Sequence, residues 1–186
     1  KKLNLLHLRI QNIKFFDSAC GSGNFLIISY KEIRKLEMLI FKEGGLLICP
    51  SIKLTQFYGI ELDDFAHEVA ILSLWLAEHQ MNVLFKKEFG TVTPALPLQD
   101  GGNIVHGNAT RLNWEEVCPK NDGDEIYILG NPPYKGFSQQ ETSQKEDIRD
   151  ILGNASKLDY VSCWFIKGSI YINNFNASFA FVSTNS

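Results

Sequence analysis

The feature that most constrains this chain is a single junction. The apolar run Ile13-Lys14-Phe15-Phe16 passes directly into Asp17-Ser18-Ala19-Cys20-Gly21-Ser22-Gly23, and a helical pattern begins at Asn24. A strand, a glycine turn and a helix in that order form the opening unit of an open α/β sheet. The rest of the sequence keeps the alternation. Further strands are expected over residues 55–60, ending at Glu61; over 103–106, ending in Gly107-Asn108; over 125–129, leading into Gly130-Asn131-Pro132-Pro133-Tyr134; and over 178–182. Between them, residues 24–41 read as a helix stopped by Gly44-Gly45. A second helix is capped by Asp63 or Asp64. It is apolar on two faces (Val69, Leu72, Leu76 and Ile71, Leu74, Trp75), which predicts packing on more than one side. Residues 158–173 read as a last helix. Residues 82–102, broken by Pro94, Pro97 and Gly101-Gly102, read as a long loop, and 135–156 as polar and irregular with some helix. Residues 1–186 are therefore expected to form one α/β domain.

Hydrophobic residues at 45% and charged residues at 21% are values of a globular protein. No apolar run is long enough to cross a bilayer, and Lys1-Lys2-Leu3-Asn4-Leu5-Leu6-His7 is too polar for a secretory signal. Cys20, Cys49, Cys118 and Cys163 form no CxxC pair and read as reduced thiols, so a cytoplasmic location is expected. The four histidines lack metal spacing. A net charge of −3 is unlike a self-sufficient DNA-binding domain, which carries a basic excess. Any nucleic acid bound by this chain would find most of its phosphate contacts outside these residues.

The glycine loop brings backbone close to a ligand at the start of a helix. A phosphate loop would need Gly-Lys-Ser/Thr, which is absent, and a dinucleotide loop favours a third glycine where Leu26 stands. S-adenosylmethionine, which has no phosphate and needs only room for its methionine part, is a third option, beside a tight turn with no ligand. Asn131-Pro132-Pro133-Tyr134 follows a strand, at the edge of the sheet where ligands of such folds bind. A ring-conjugated exocyclic amine is a poor nucleophile because its lone pair is delocalised. Two fixed acceptors on its hydrogens, the Asn131 side-chain oxygen and the Pro132 carbonyl, let the nitrogen pyramidalise. Pro132 and Pro133 stiffen the loop, and Tyr134 offers a flat face to a base swung out of its duplex. A proline-rich turn with a surface tyrosine is the plain alternative.

Taken together, these motifs resemble the N6-adenine (amino) DNA methyltransferases whose cofactor motif precedes Asn-Pro-Pro-Tyr, and especially the MmeI-type restriction–modification enzymes. The residues that carry the resemblance are 17–26, 58–65, 74–82, His106-Gly107-Asn108-Ala109, 130–134 and Leu158-Asp159-Tyr160-Val161, in the family's order and over nearly the whole chain. Ser18 departs from the pattern, where the family more often has proline. The resemblance implies a Rossmann-like class I methyltransferase fold with strand order 3-2-1-4-5, ending after the fifth strand. It implies S-adenosyl-L-methionine as cofactor, held by Asp17, Ala19, Cys20, Gly21, Gly23, Asn24 and Phe25, by Glu61 and Leu62, by Asn108 and Ala109, and by Asn131. It also implies catalysis by Asn131, Pro132, Pro133 and Tyr134 on adenine in double-stranded DNA, without metal or covalent intermediate, the sulfonium being a good leaving group.

Individual positions keep a plainer alternative. Glu61 is expected to accept the ribose hydroxyls, although acidic strand ends are commonly just solvated. Asp17 falls near the methionine amine in the family and is otherwise a turn former. Asn108 is either an ordinary turn asparagine or the residue that bonds the cofactor's adenine amine. Asp159 is expected to cap a helix. Lys145, Glu146, Asp147, Arg149 and Asp150 read as a solvated helix face. Fused endonuclease and target-recognition regions are expected outside these residues, in a longer polypeptide. Methyltransferases of glutamine amides or of RNA guanine share Asn-Pro-Pro-Tyr and are the rival class, as is a cofactor-binding module without turnover.

Overall fold

The computed structural model describes residues 2–45, 48–90, 102–153 and 157–183. The elements run α1 (Lys2–Gln11), β1 (Ile13–Asp17), α2 (Asn24–Gly44), β2 (Phe57–Glu61), α3 (Asp64–Phe89), β3 (Asn103–His106), α4 (Trp114–Val117), β4 (Glu125–Gly130), α5 (Thr142–Leu152), α6 (Ser162–Ile172) and β5 (Ala177–Phe181). All strand pairs are parallel, in the order β3-β2-β1-β4-β5, as the resemblance implies. Helices cover both faces because alternate residues of each strand point to opposite sides. On one face Ile13 and Phe57 pack with Leu26, Tyr30, Leu74 and Phe85 of α2 and α3. On the other, Phe16, Ile60, Ile126 and Ile128 pack with Trp114, Ile148, Trp164 and Tyr171 of α4, α5 and α6. No helix among the described residues is long and apolar enough to cross a membrane.

Four expectations are corrected. First, β2 starts at Phe57, because residues 54–56 form a single tight turn. Gln56 fixes that turn: its Oε1 accepts from the Lys53 N–H at 2.9 Å, and its Nε2 donates to the carbonyls of Ile10 and Ile13 at 3.2 and 2.8 Å. Second, α3 does not stop at Asn82. Met81 and Phe85 are buried one helical turn apart, Phe89 packs on Phe85, and the helix ends only at Gly90 with φ of 73°. The part of the expected loop at 91–101 lies outside the described residues. Third, α3 is buried on one face only; Leu72, Leu76, Val83 and Leu84 stay exposed. Fourth, α6 starts at Ser162 after Val161, with no side-chain cap, so Asp159 does not cap it.

Candidate active site

The glycine turn closes between β1 and α2 because both of its glycines adopt left-handed backbone. Gly21 has φ of 54°, which favours glycine, and open space where a Cβ would stand. Its N–H donates to Glu61 Oε2 at 2.7 Å, while Glu61 Oε1 accepts from the Asp63 N–H at 2.9 Å. The carboxylate that ends β2 thereby ties the glycine loop to the start of α3, where Asp63 caps the helix through the Ala66 N–H. Gly23 has φ of 84°, again a backbone that favours glycine, while a Cβ on it would meet Ala70 of α3 at 3.4 Å, an ordinary contact, so the turn and not the space calls for glycine.

A cavity of about 480 Å³ opens at the carboxyl ends of the strands. Ala19, Gly21, Glu61 and Leu62 line it from β1 and β2, Asn108 and Ala109 from β3, and Asn131 and Pro133 from β4. The other expected residues stand back from it. Cys20 is buried in the core, where burial pushes its thiol up, and its N–H donates to the Ile60 carbonyl. Gly23, Asn24 and Phe25 form the start of α2, with Phe25 exposed. Pro132 is buried beneath the loop, and Tyr134 presents a side chain 39% exposed.

Asp17 is 1% exposed and stands behind the cavity lining, between the glycine loop and the Asn131–Tyr134 segment. Its Oδ1 accepts from the Ala19 N–H at 3.0 Å, and its Oδ2 is buried without a partner. A Cβ on Gly130, the residue before Asn131, would stand 2.5 Å from Asp17 Oδ1, so glycine there lets the two motifs touch. Burial raises the Asp17 carboxyl to about 7, against the pull of the Ala19 N–H and with the Glu61 charge adding to the rise. Ser18 Oγ beside it is likewise buried without a partner.

The exit from Asn131-Pro132-Pro133-Tyr134 is pinned as well. The Lys135 carbonyl accepts from the Tyr160 N–H and from Gln140 Nε2, each at 3.0 Å, and Gln140 Nε2 also reaches the Leu158 carbonyl at 2.9 Å. Residues 136–159 thus leave and return at one point, and α5 within them walls the cavity. From this wall comes a residue that sequence reasoning placed in solvent. Asp147 is 4% exposed and lines the cavity. Arg111 Nε donates to its Oδ1 at 2.7 Å, and the Tyr160 hydroxyl and Asn108 Nδ2 donate to its Oδ2 at 2.7 and 3.1 Å. Burial raises this carboxyl, but the three hydrogen bonds outweigh it and hold the group below the usual carboxylate range. Its one signal in the sequence is its place beside Ile148 on the inner face of an amphipathic helix. His7 bonds Ser51, His67 the Ile104 carbonyl and His106 the Leu62 carbonyl, while His79 stacks on Trp75.

A parallel sheet in this order, with a glycine loop after β1 and Asn-Pro-Pro-Tyr after β4 on one cavity, defines a methyltransferase domain. Residues 1–186 match the family described as the DNA-methyltransferase domain of MmeI, and the chain belongs to that family. It is 53% identical to DNA methyltransferase A of Bacillus subtilis (strain 168) over 194 residues, which takes in 100% of this chain and 22% of that protein. The structure of the Type IIL restriction–modification enzyme MmeI in complex with DNA superposes with a TM-score of 0.89 at 40% identity, over 100% of this chain and 26% of that one. A nuclease-deletion mutant of the Type ISP enzyme LlaGI, at 16% identity, covers 94% of this chain and 16% of its own with a TM-score of 0.51, and shares the fold. The chain thus spans about a quarter or less of the relatives it matches.

Proposed function

We propose that this domain binds S-adenosyl-L-methionine and methylates the N6 amine of an adenine swung out of double-stranded DNA, as part of a larger restriction–modification protein. The observation that carries the proposal is that Asn131 shares one cavity with Gly21 and Glu61, an amine acceptor beside a glycine turn and a strand-end carboxylate, which are the groups a nucleoside cofactor would need. The residues fit the cofactor: the unpartnered Oδ2 of Asp17 suits an ammonium, and Glu61 keeps free lone pairs for ribose hydroxyls. When bound, S-adenosyl-L-methionine supplies a methyl group on a sulfonium. Asn131 and the Pro132 carbonyl accept the two amine hydrogens and turn the nitrogen lone pair outward, Tyr134 stacks on the base, and the displaced proton leaves to solvent.

The DNA complex of the MmeI relative supports duplex DNA as the substrate. The test is methyl transfer from labelled cofactor, using the intact polypeptide, to duplex DNA and to a glutamine-containing peptide. Label on N6 of adenine is expected; label on the peptide amide alone would move the activity to the rival class.

Asp17 gives this reading a pH signature. In the free protein the carboxyl is mostly protonated below about 7. An ammonium at Oδ2 favours the ionised form, so binding in that range expels a proton. Cofactor affinity is then expected to rise as pH climbs toward 7 and to level off above it. Calorimetry at pH 6 in two buffers of different ionisation enthalpy should show release approaching one proton in wild type and none in Asp17→Asn. Buffer-independent heats in wild type would remove Asp17 from the amine site.

A further inference from the structure

Asn108 is turned the wrong way to receive an amine. Its Oδ1 accepts from the Thr110 N–H at 2.9 Å and the Thr110 hydroxyl at 2.6 Å, and its Nδ2 donates to Asp147 Oδ2 at 3.1 Å. Reversing the amide would set its NH₂ against the Thr110 N–H, donor on donor, and its oxygen against the Asp147 carboxylate, acceptor on acceptor. The orientation is therefore locked from both ends, and what Asn108 has left to offer a ligand is its second Nδ2 hydrogen, a donor.

Asp147 offers the opposite. An ionised carboxylate has about four acceptor sites. Oδ2 receives the Tyr160 hydroxyl and Asn108 Nδ2, and Oδ1 receives Arg111 Nε, so Oδ1 keeps one lone pair in a side chain that lines the cavity. Its location suits a nucleoside base. Glu61 is paired in register with His106, and the Gly107 N–H bonds the Glu61 carbonyl at 2.8 Å, so the end of β3 lies directly beside the ribose site. A base extending from that ribose meets Asn108 and Ala109, with Asp147 on the wall above them. An adenine edge carries an amine, which donates, next to a ring nitrogen, which accepts.

We infer that Asp147, and not Asn108, accepts the hydrogen bond from the amine of the cofactor's adenine, while Asn108 donates to the neighbouring ring nitrogen. The inference rests on the cofactor proposed above and assigns the specificity of its base pocket to α5, an element outside both sequence motifs. Asp147 is also a positioning residue for Asn108, whose amide it orients.

The experiment compares binding of S-adenosylhomocysteine and its purine-riboside counterpart, in which hydrogen replaces the amine and the ring nitrogen stays an acceptor, to the intact polypeptide. Wild type is expected to prefer the adenosine form about tenfold or more, because the hydrogen bond from the amine to a carboxylate is lost. Asp147→Ala should bring the two affinities close together, since no acceptor then remains opposite the amine. Asn108→Ser should keep the preference. A wild type that binds both ligands equally, or an Asp147→Ala variant that keeps full preference, overturns this inference and leaves the cofactor assignment standing. A wild type that binds neither overturns both. Should Asp147→Ala bind neither ligand, Asn108→Ser decides: preference retained supports Asp147, and preference lost returns the amine to Asn108.

Discussion

Asn131→Ala is expected to lower adenine methylation by the intact polypeptide about a hundredfold or more, because it deletes one preorganised acceptor from the attacking amine. The effect should fall on the rate of methyl transfer, with cofactor affinity nearly unchanged. The surroundings favour that separation. Pro132 is buried, the Lys135 carbonyl is held by Tyr160 and Gln140, and Gly130 rests on Asp17, so the loop is fixed by neighbours that the truncation leaves in place. Asn131→Asp keeps an oxygen at the same position and should retain more activity than the alanine variant. Single-turnover transfer and calorimetric cofactor titration on the same preparations separate the two effects. Normal turnover in Asn131→Ala would end the mechanism proposed here. Methyl groups found on cytosine would preserve it and change the target base.

The parts legible in the sequence were those whose signal is local. Each strand is a short apolar run, and the two candidate segments are contiguous: residues 17–23 and 130–134 hold their proposed roles within a few positions, so their order along the chain implied the sheet and the edge at which the cavity opens. What was missed depends on contacts far apart in sequence. Residues 2–11 look broken by polar side chains, yet Leu3, Leu6 and Ile10 share a helical face that packs on the core. The continuation of α3 past Asn82 was legible in Met81, Phe85 and Phe89, spaced one turn apart, and was obscured by polar residues on the outer face. Asp147 stands among charges at 145–150 that do read as a solvated face. Only the fold brings Asn108, Arg111 and Tyr160 to it, and without them its burial would be too costly to expect. Cys20 shows the converse: its place in the glycine loop suggested the cofactor, whereas its side chain turns inward, so close that a Cβ on Gly59 would stand 3.0 Å from its sulfur.

A polypeptide of these 186 residues alone is expected to self-associate through β5 and to leave duplex DNA unmethylated. β5 is an edge of the sheet, paired only with β4 among the described residues. An open edge offers unpaired N–H and C=O groups to another strand. The side chains beside it increase the tendency: Phe179 stacks on Phe181, Phe165 meets both edge-on, and Val182 is 49% exposed. The opposite edge is better guarded. β3 has four residues, Asn103 bonds the Thr55 carbonyl, and His67 reaches the Ile104 carbonyl. The same polypeptide has a net charge of −3 and no basic excess to displace counterions from DNA, so weak retention of duplex is expected even where the cofactor binds. Light scattering after size exclusion should show mass above the monomer, growing with concentration. Val182→Lys, which places a charge beside the edge and touches nothing in the cavity, should shift the population back toward monomer. A monodisperse wild-type monomer that methylates adenine in mixed-sequence duplex would show that these residues hold DNA by themselves, and would require a phosphate-binding surface on a domain whose charge argues against one.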